Sequence, residues 1–115
     1  MASDPIKILI VDDDEHVLIE LERLLESEGC STTTSWGGRE ALAYTEQTQF
    51  DVLLVDEDTT HPECSALSAE LKRGQPSACF LQMHSRKNHR GTSSHEIHKW
   101  EHAEVKATIR TFLAA

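Results

Sequence analysis

Two short apolar runs, each stopping on a cluster of acids, constrain this chain more than any other feature. The first is Ile8-Leu9-Ile10-Val11 followed by Asp12-Asp13-Asp14; the second is Val52-Leu53-Leu54-Val55 followed by Asp56-Glu57-Asp58. An unbroken aliphatic run cannot alternate between core and water. Each therefore reads as a strand buried on both faces, as in a parallel sheet covered by helices on either side. The acids then fall at the carboxyl end of each strand. If the strands are parallel neighbours, both clusters emerge at one edge of the sheet, which is where open α/β sheets bind ligands.

The segments between and after these runs keep an alternating rhythm. Asp14 can cap a helix in which Val17, Leu18, Leu21, Leu24 and Leu25 recur at helical spacing until Gly29 stops it. Cys30 to Ser35 is Thr-rich and β-prone but has no large aliphatic side chains, the character of an edge strand. Trp36-Gly37-Gly38 turns into a second helix carrying Ala41, Leu42 and Tyr44 on one face, and the second acid-tipped strand begins near Phe50. A third helix is expected from His61 to Arg73, ended by Gly74-Gln75-Pro76, and Ala78 to Met83 supplies another central strand. Ser85 to Ser94 offers no apolar face and reads as loop; a weak edge strand around Ile97 and a closing amphipathic helix through Val105, Ile109 and Leu113 follow. Alternating strands and helices force a parallel sheet with right-handed crossovers.

At 115 residues the chain reads as one domain, residues 1–115 with its core over 6–114, large enough to bury a core without disulfides. The formal net charge of -9 argues against a nucleic-acid partner and favours a cationic ligand. Cys30, Cys64 and Cys79 show no Cys-x-x-Cys spacing, so neither a disulfide framework nor a thiolate zinc site is indicated, and a reducing cytoplasm is the simplest setting. His84, His89, His95, His98 and His102 fit no zinc spacing either. Neither a signal peptide nor a bilayer-spanning run is visible, so no membrane association is expected.

Ile8 to Asp13, the strand ending in Asp56, and the lone Lys99 before a terminal helix together resemble the receiver domain of bacterial two-component response regulators. The match in order and spacing runs from Lys7 to about His84 and resumes at Ile97. The resemblance implies a flavodoxin-like (CheY-like) three-layer α/β sandwich with a five-stranded parallel sheet in the order 2-1-3-4-5, an order carried over from the family. About four helices are expected, with the family's fourth missing or replaced by the loop at Ser85 to Ser94. The family pattern further implies that Asp13 binds Mg2+ directly and Asp12 through water, with Asp56 and the backbone carbonyl of Asp58 completing the protein ligands. Asp56 would be the nucleophile that accepts a phosphoryl group from a sensor histidine kinase or phosphotransfer protein. Lys99 would pair with that group. A downstream protein partner is implied, and the chain is expected to be a signalling domain and not an enzyme. Asp14, Glu15 and Glu57 read as caps or solvated turn residues.

Several positions depart from the family pattern. His84 stands where receivers carry the Thr or Ser that contacts the phosphoryl group, Glu96 where an aromatic is usual, and Trp100 where Pro follows the Lys. Without proline a cis peptide costs a few kcal/mol, so the bond after Lys99 is expected to be trans. Thr60 and Cys64 replace a usual Pro and Gly, and the stretch from His84 to Lys99 is shorter than in a typical receiver. Two functional readings follow. One is a divergent receiver that binds Mg2+ and is phosphorylated on Asp56; the alternative is a phosphorylation-independent pseudo-receiver acting as a protein-interaction module. A nucleotide- or flavin-binding protein on the same fold is disfavoured because no Gly-rich loop follows the first strand.

Overall fold

The computed structural model describes residues 5–56, 64–84, 96–98 and 102–114. Strands and helices alternate as far as β4 and then close with a strand and a helix: β1 (Lys7–Val11), α1 (Glu15–Ser27), β2 (Ser31–Ser35), α2 (Gly38–Gln47), β3 (Val52–Asp56), α3 (Cys64–Gly74), β4 (Cys79–His84), β5 (Glu96–His98) and α4 (His102–Ala114). All five strands pair in parallel in the order β2-β1-β3-β4-β5. The order follows from side-chain chemistry. β1 and β3 bury their aliphatic residues completely and take central positions, while the Ser-Thr strand β2, too polar to be covered on both faces, lies at an edge.

Side-chain alternation along the central strands divides the interior in two. Ile8 and Ile10 of β1, Val52 and Leu54 of β3, and Leu81 and Met83 of β4 pack with Val17, Leu18, Leu21 and Leu25 of α1 and Val105 and Ile109 of α4. Leu9, Val11, Leu53 and Val55 point to the other face, where they meet Ala41 of α2 and Leu67 and Leu71 of α3. Each such side chain contributes roughly 1.5–3 kcal/mol by leaving water. A one-residue slip of β1 would send all of its side chains to the wrong core, so both cores hold the register.

Helix boundaries have local causes. Asp14 is the N-cap of α1, its side chain accepting from the His16 amide. At the other end the Glu28 and Gly29 amides return to the carbonyls of Leu25 (3.1 Å) and Glu26 (2.9 Å), with Gly29 at φ +88°. That left-handed conformation is the one a glycine tolerates without a Cβ penalty. The carboxylate of Glu28 then receives Arg110 Nη2 at 2.9 Å and Nε at 3.3 Å, with Lys106 Nζ at 3.7 Å, which ties α1 to α4.

The end of α2 is held less obviously. It has no basic residue in its last turn. Instead the buried Gln75 side chain donates from Nε2 to the carbonyls of Thr45 (2.9 Å) and Thr48 (3.0 Å), while its Oε1 accepts the Phe50 amide at 2.8 Å. One amide side chain thus satisfies groups at the end of α2 and the approach to β3, and it is anchored just past α3. The sequence alone marks Gln75 only as part of a helix stop.

Boundaries otherwise move by a residue or two. β2 begins at Ser31 and not Cys30, β3 at Val52 and not Phe50, β4 at Cys79 and not Ala78, and α3 runs to Gly74. Cys30 and Phe50 are nonetheless buried, serving as core residues that lead into strands. The expected start of α3 at His61 and the expected loop at Ser85 to Ser94 lie outside the described residues. No helix among the described residues is long and apolar enough to cross a membrane.

Candidate functional site

Register brings the two acidic strand ends together. Val11 of β1 is paired with Val55 of β3, so the next residues, Asp12 and Asp56, leave neighbouring parallel strands side by side at the carboxyl edge of the sheet. Asp12 extends the ladder by one bond on its other side, its amide donating to the Ser35 carbonyl at 3.0 Å. Asp12 and Asp56 are fully buried and Asp13 is exposed. A carboxylate oxygen from each of the three lies within 4.8 Å of the others. The three acids singled out from the sequence therefore converge, and they do so because strand pairing fixes them.

The charges make this arrangement costly by itself. Two unit charges 4.8 Å apart repel by about 3.5 kcal/mol at an effective dielectric of about 20, and burial adds desolvation of each. The Asp14 amide, donating to Oδ1 of Asp12, offsets part of that cost, and neither Asp12 nor Asp56 is without further interactions. The donor set is all oxygen, with two buried carboxyl groups, and open on the Asp13 side. Such a set suits a small, hard divalent cation that keeps part of its water shell.

The rim of the site comes from the turns after β1 and β2. The Asp14 amide donates to Oδ1 of Asp12 at 2.9 Å while the Asp14 side chain caps α1. Ser35, fully buried, donates from its hydroxyl to the Gly37 carbonyl at 2.9 Å and so shapes the turn into α2. Between them Trp36 is 68% exposed, its amide donating to Glu40 Oε1 at 3.2 Å. Ser35 and Trp36 were not singled out by the sequence, because only the pairing of β1 with β2 reveals that they flank Asp12. Glu15 is exposed, as expected of a first-turn acid.

Among the remaining candidates, the backbone of His84 ends β4 one residue beyond Met83, the register partner of Asp56. On the next strand His84 is paired with His98, and Glu96 with Gln82. The carboxyl end of β4 thus reaches the acid edge. Asp58, Glu57, Thr60, Lys99 and Trp100 lie outside the described residues. Cys30 and Cys79 are free thiols. Burial pushes both thiols up from the ordinary range, with the nearby Glu28 charge adding to the shift at Cys30, so neither is an activated thiolate.

A doubly wound parallel sheet of this order, with buried carboxylates gathered where its central strands end, defines an α/β protein whose site lies at the strand carboxyl termini. The chain belongs to the response regulator receiver domain family, whose model matches residues 8–92. No curated protein matches it in sequence. Among solved structures it resembles a CheY-like response regulator receiver domain protein from Methanospirillum hungatei JF-1, at 21% identity and a TM-score of 0.84, over 96% of this chain and 95% of that one. It also resembles the response regulator TrrA from Thermotoga maritima in complex with Mg2+ and BeF, at 20% identity and a TM-score of 0.80, over 92% and 97% of the two chains. A structure of histidine kinase ThkA in complex with TrrA matches at 19% identity and a TM-score of 0.80, over 94% and 98%. At these identities the structural likeness speaks for the fold, and the family assignment rests on the sequence match.

Proposed function

We propose that this chain is a divergent receiver of a cytoplasmic two-component phosphorelay, folded as one unit over residues 6–114, that binds Mg2+ and accepts a phosphoryl group on Asp56. The observation that carries the reading is the convergence of buried Asp12 and Asp56 with exposed Asp13 inside 4.8 Å, at the strand ends of a receiver fold. Asp12, Asp13 and Asp56, with the backbone carbonyl of Asp58, would hold the ion. When bound, Mg2+ supplies the positive charge that lets an anionic carboxylate approach an anionic phosphoryl group.

In the transfer, a carboxylate oxygen of Asp56 attacks the phosphorus of a phosphohistidine on a kinase or phosphotransfer protein. The new O–P bond forms as the P–N bond breaks, and the electron pair returns to the donor imidazole. Lys99 would neutralise the transferred group, and His84 would border it where a hydroxyl is usual. Support for a kinase as partner comes from TrrA, which is found in complex with ThkA. A downstream protein partner would read the result.

His84 and Glu96 favour a second reading. With an imidazole at the end of β4 and a carboxylate on β5, the groups that usually couple phosphorylation to output are replaced, and the domain could serve as an interaction module independent of phosphate. Incubation with acetyl phosphate and Mg2+ followed by intact mass separates the two. A gain of one phosphoryl group that disappears in Asp56→Asn is the expected result. Metal-dependent amide shifts without any mass gain would leave the pseudo-receiver as the correct description.

A further inference from the structure

Asp14 joins the acid site to the first helix. Its amide donates to Oδ1 of buried Asp12 at 2.9 Å. Its own Oδ1 accepts the His16 amide at 2.9 Å, and its carbonyl accepts the Leu18 amide at 3.1 Å, the first bond of α1. The backbone sits at φ -98° and ψ 111°, the extended conformation of an N-cap. The residue whose amide supplies a donor to Asp12 is therefore the one whose side chain and carbonyl start the helix.

We propose that Asp14 is a positioning residue: by capping α1 it holds its own amide against Asp12 and presets that carboxylate for the divalent cation. The inference deepens the cation-binding reading above and rests on it. A buried carboxylate facing a second one at this distance is pushed to rotate away unless a fixed donor holds it, and a charge-stabilised bond from a rigid amide is such a donor. The rest of α1 stays docked through Val17, Leu18, Leu21 and Leu25, so losing the cap loosens only the first turn and the Asp14 amide with it. The effect on Asp12 is then local and does not require unfolding.

Charge offers a competing explanation, because a third acid near the site attracts a cation at long range. Asp14→Ala removes both the cap acceptor and the charge, whereas Asp14→Asn and Asp14→Ser remove the charge and keep an acceptor oxygen. The probe is Mg2+ alone, titrated against each folded variant well below its melting temperature and read by amide NMR. Asp14→Ala is expected to bind about fivefold more weakly, the scale of one lost cap, with Asp14→Asn and Asp14→Ser within about twofold of the parent. In the metal-free protein the Asp14 amide should exchange slowly in the parent, Asn and Ser forms and rapidly in the Ala form. A lower melting temperature for Asp14→Ala with unchanged Mg2+ affinity would reduce Asp14 to an ordinary cap and overturn the proposal. Equal weakening in all three variants overturns it in favour of charge. If the parent binds no Mg2+, the cation site and this inference fall together; binding by the parent with no loss in Asp14→Ala sinks the inference alone.

Discussion

Replacing Asp56 by Asn should stabilise the metal-free protein, which is the reverse of what most changes at a fully buried position do. Asparagine keeps the size of aspartate and one of its two acceptor oxygens while removing one charge from the buried pair. Two carboxylate charges at the 4.8 Å limit within which the three acids gather would repel by about 3.5 kcal/mol at an effective dielectric of about 20. Part of this is already offset at Asp12, which accepts the Asp14 amide, so a net gain of about 1–3 kcal/mol is expected. For a domain of this size each kcal/mol moves the melting temperature by about 4 °C. Differential scanning calorimetry in EDTA at neutral pH should therefore show Asp56→Asn melting about 4–12 °C above the parent. Two controls bear on the cause. The advantage should fade in acid, where protonation removes the repulsion by itself. It should also narrow or invert with Mg2+, because a ligand at a hundredfold excess over its Kd adds about 2.7 kcal/mol to the form that binds it. A lower melting temperature for metal-free Asp56→Asn at neutral pH, or a gain that persists unchanged in acid, would refute the charge-strain argument.

Three further outcomes are expected. If His84 and Glu96 stand in for the family's coupling pair, as the resemblance implies, beryllofluoride with Mg2+ should shift amides near Asp12, Asp13, Asp56 and His84 and leave Ile97 to Leu113 mostly unmoved; large coherent NMR shifts along β5 and α4 would demonstrate a working switch. Gln75→Ala should cost about 2–4 kcal/mol in urea unfolding, since it strands the buried Phe50 amide and two carbonyls at the end of α2; a loss below about 0.5 kcal/mol would mean that water replaces the side chain. The hydrogen bonds from Arg110, and the charges of Arg110 and Lys106, hold the Glu28 carboxyl below its usual range. A carboxyl lowered on folding contributes stability above its unfolded pKa and loses that contribution as pH falls through the folded one. Glu28→Gln should thus melt below the parent at neutral pH, with the gap closing in acid and in high salt; a gap independent of both would assign the effect to packing.

The parts of this molecule legible in the sequence are those with a period or a cap. β1 and β3 announce themselves by unbroken aliphatic runs, α1 by Asp14 at one end and Gly29 at the other, and the edge position of β2 by threonines that cannot fill a two-sided core. Because the acids follow directly on those runs, Asp12, Asp13 and Asp56 are legible together in the sequence, with the family resemblance implying their roles. What escaped depends on contacts between distant residues. Gln75 looks like turn punctuation until its partners at Thr45, Thr48 and Phe50 are seen, and Ser35 and Trp36 gain their place beside Asp12 only from the pairing of β1 with β2. Exact strand starts escaped for a related reason: Cys30 and Phe50 are apolar and buried, yet they precede the ladders they seem to begin.

The division of the interior by the sheet has a consequence for how substitutions combine. Leu21 and Val55 belong to different cores, walled off from each other by backbone. Damage to one is therefore invisible to the other, and paired losses across the sheet should add to within about 0.5 kcal/mol. Pairs within one core share cavities and should not add. Epistasis in this protein is thus partitioned by face. Along their strands Asp12 and Asp56 continue the alternation of Ile8, Ile10, Val52 and Leu54, which face α1 and α4. The layer under α1 and α4 therefore carries the site's side chains as well as one of the two cores, while Val11 and Val55 of the other core hold the register that sets the acids side by side.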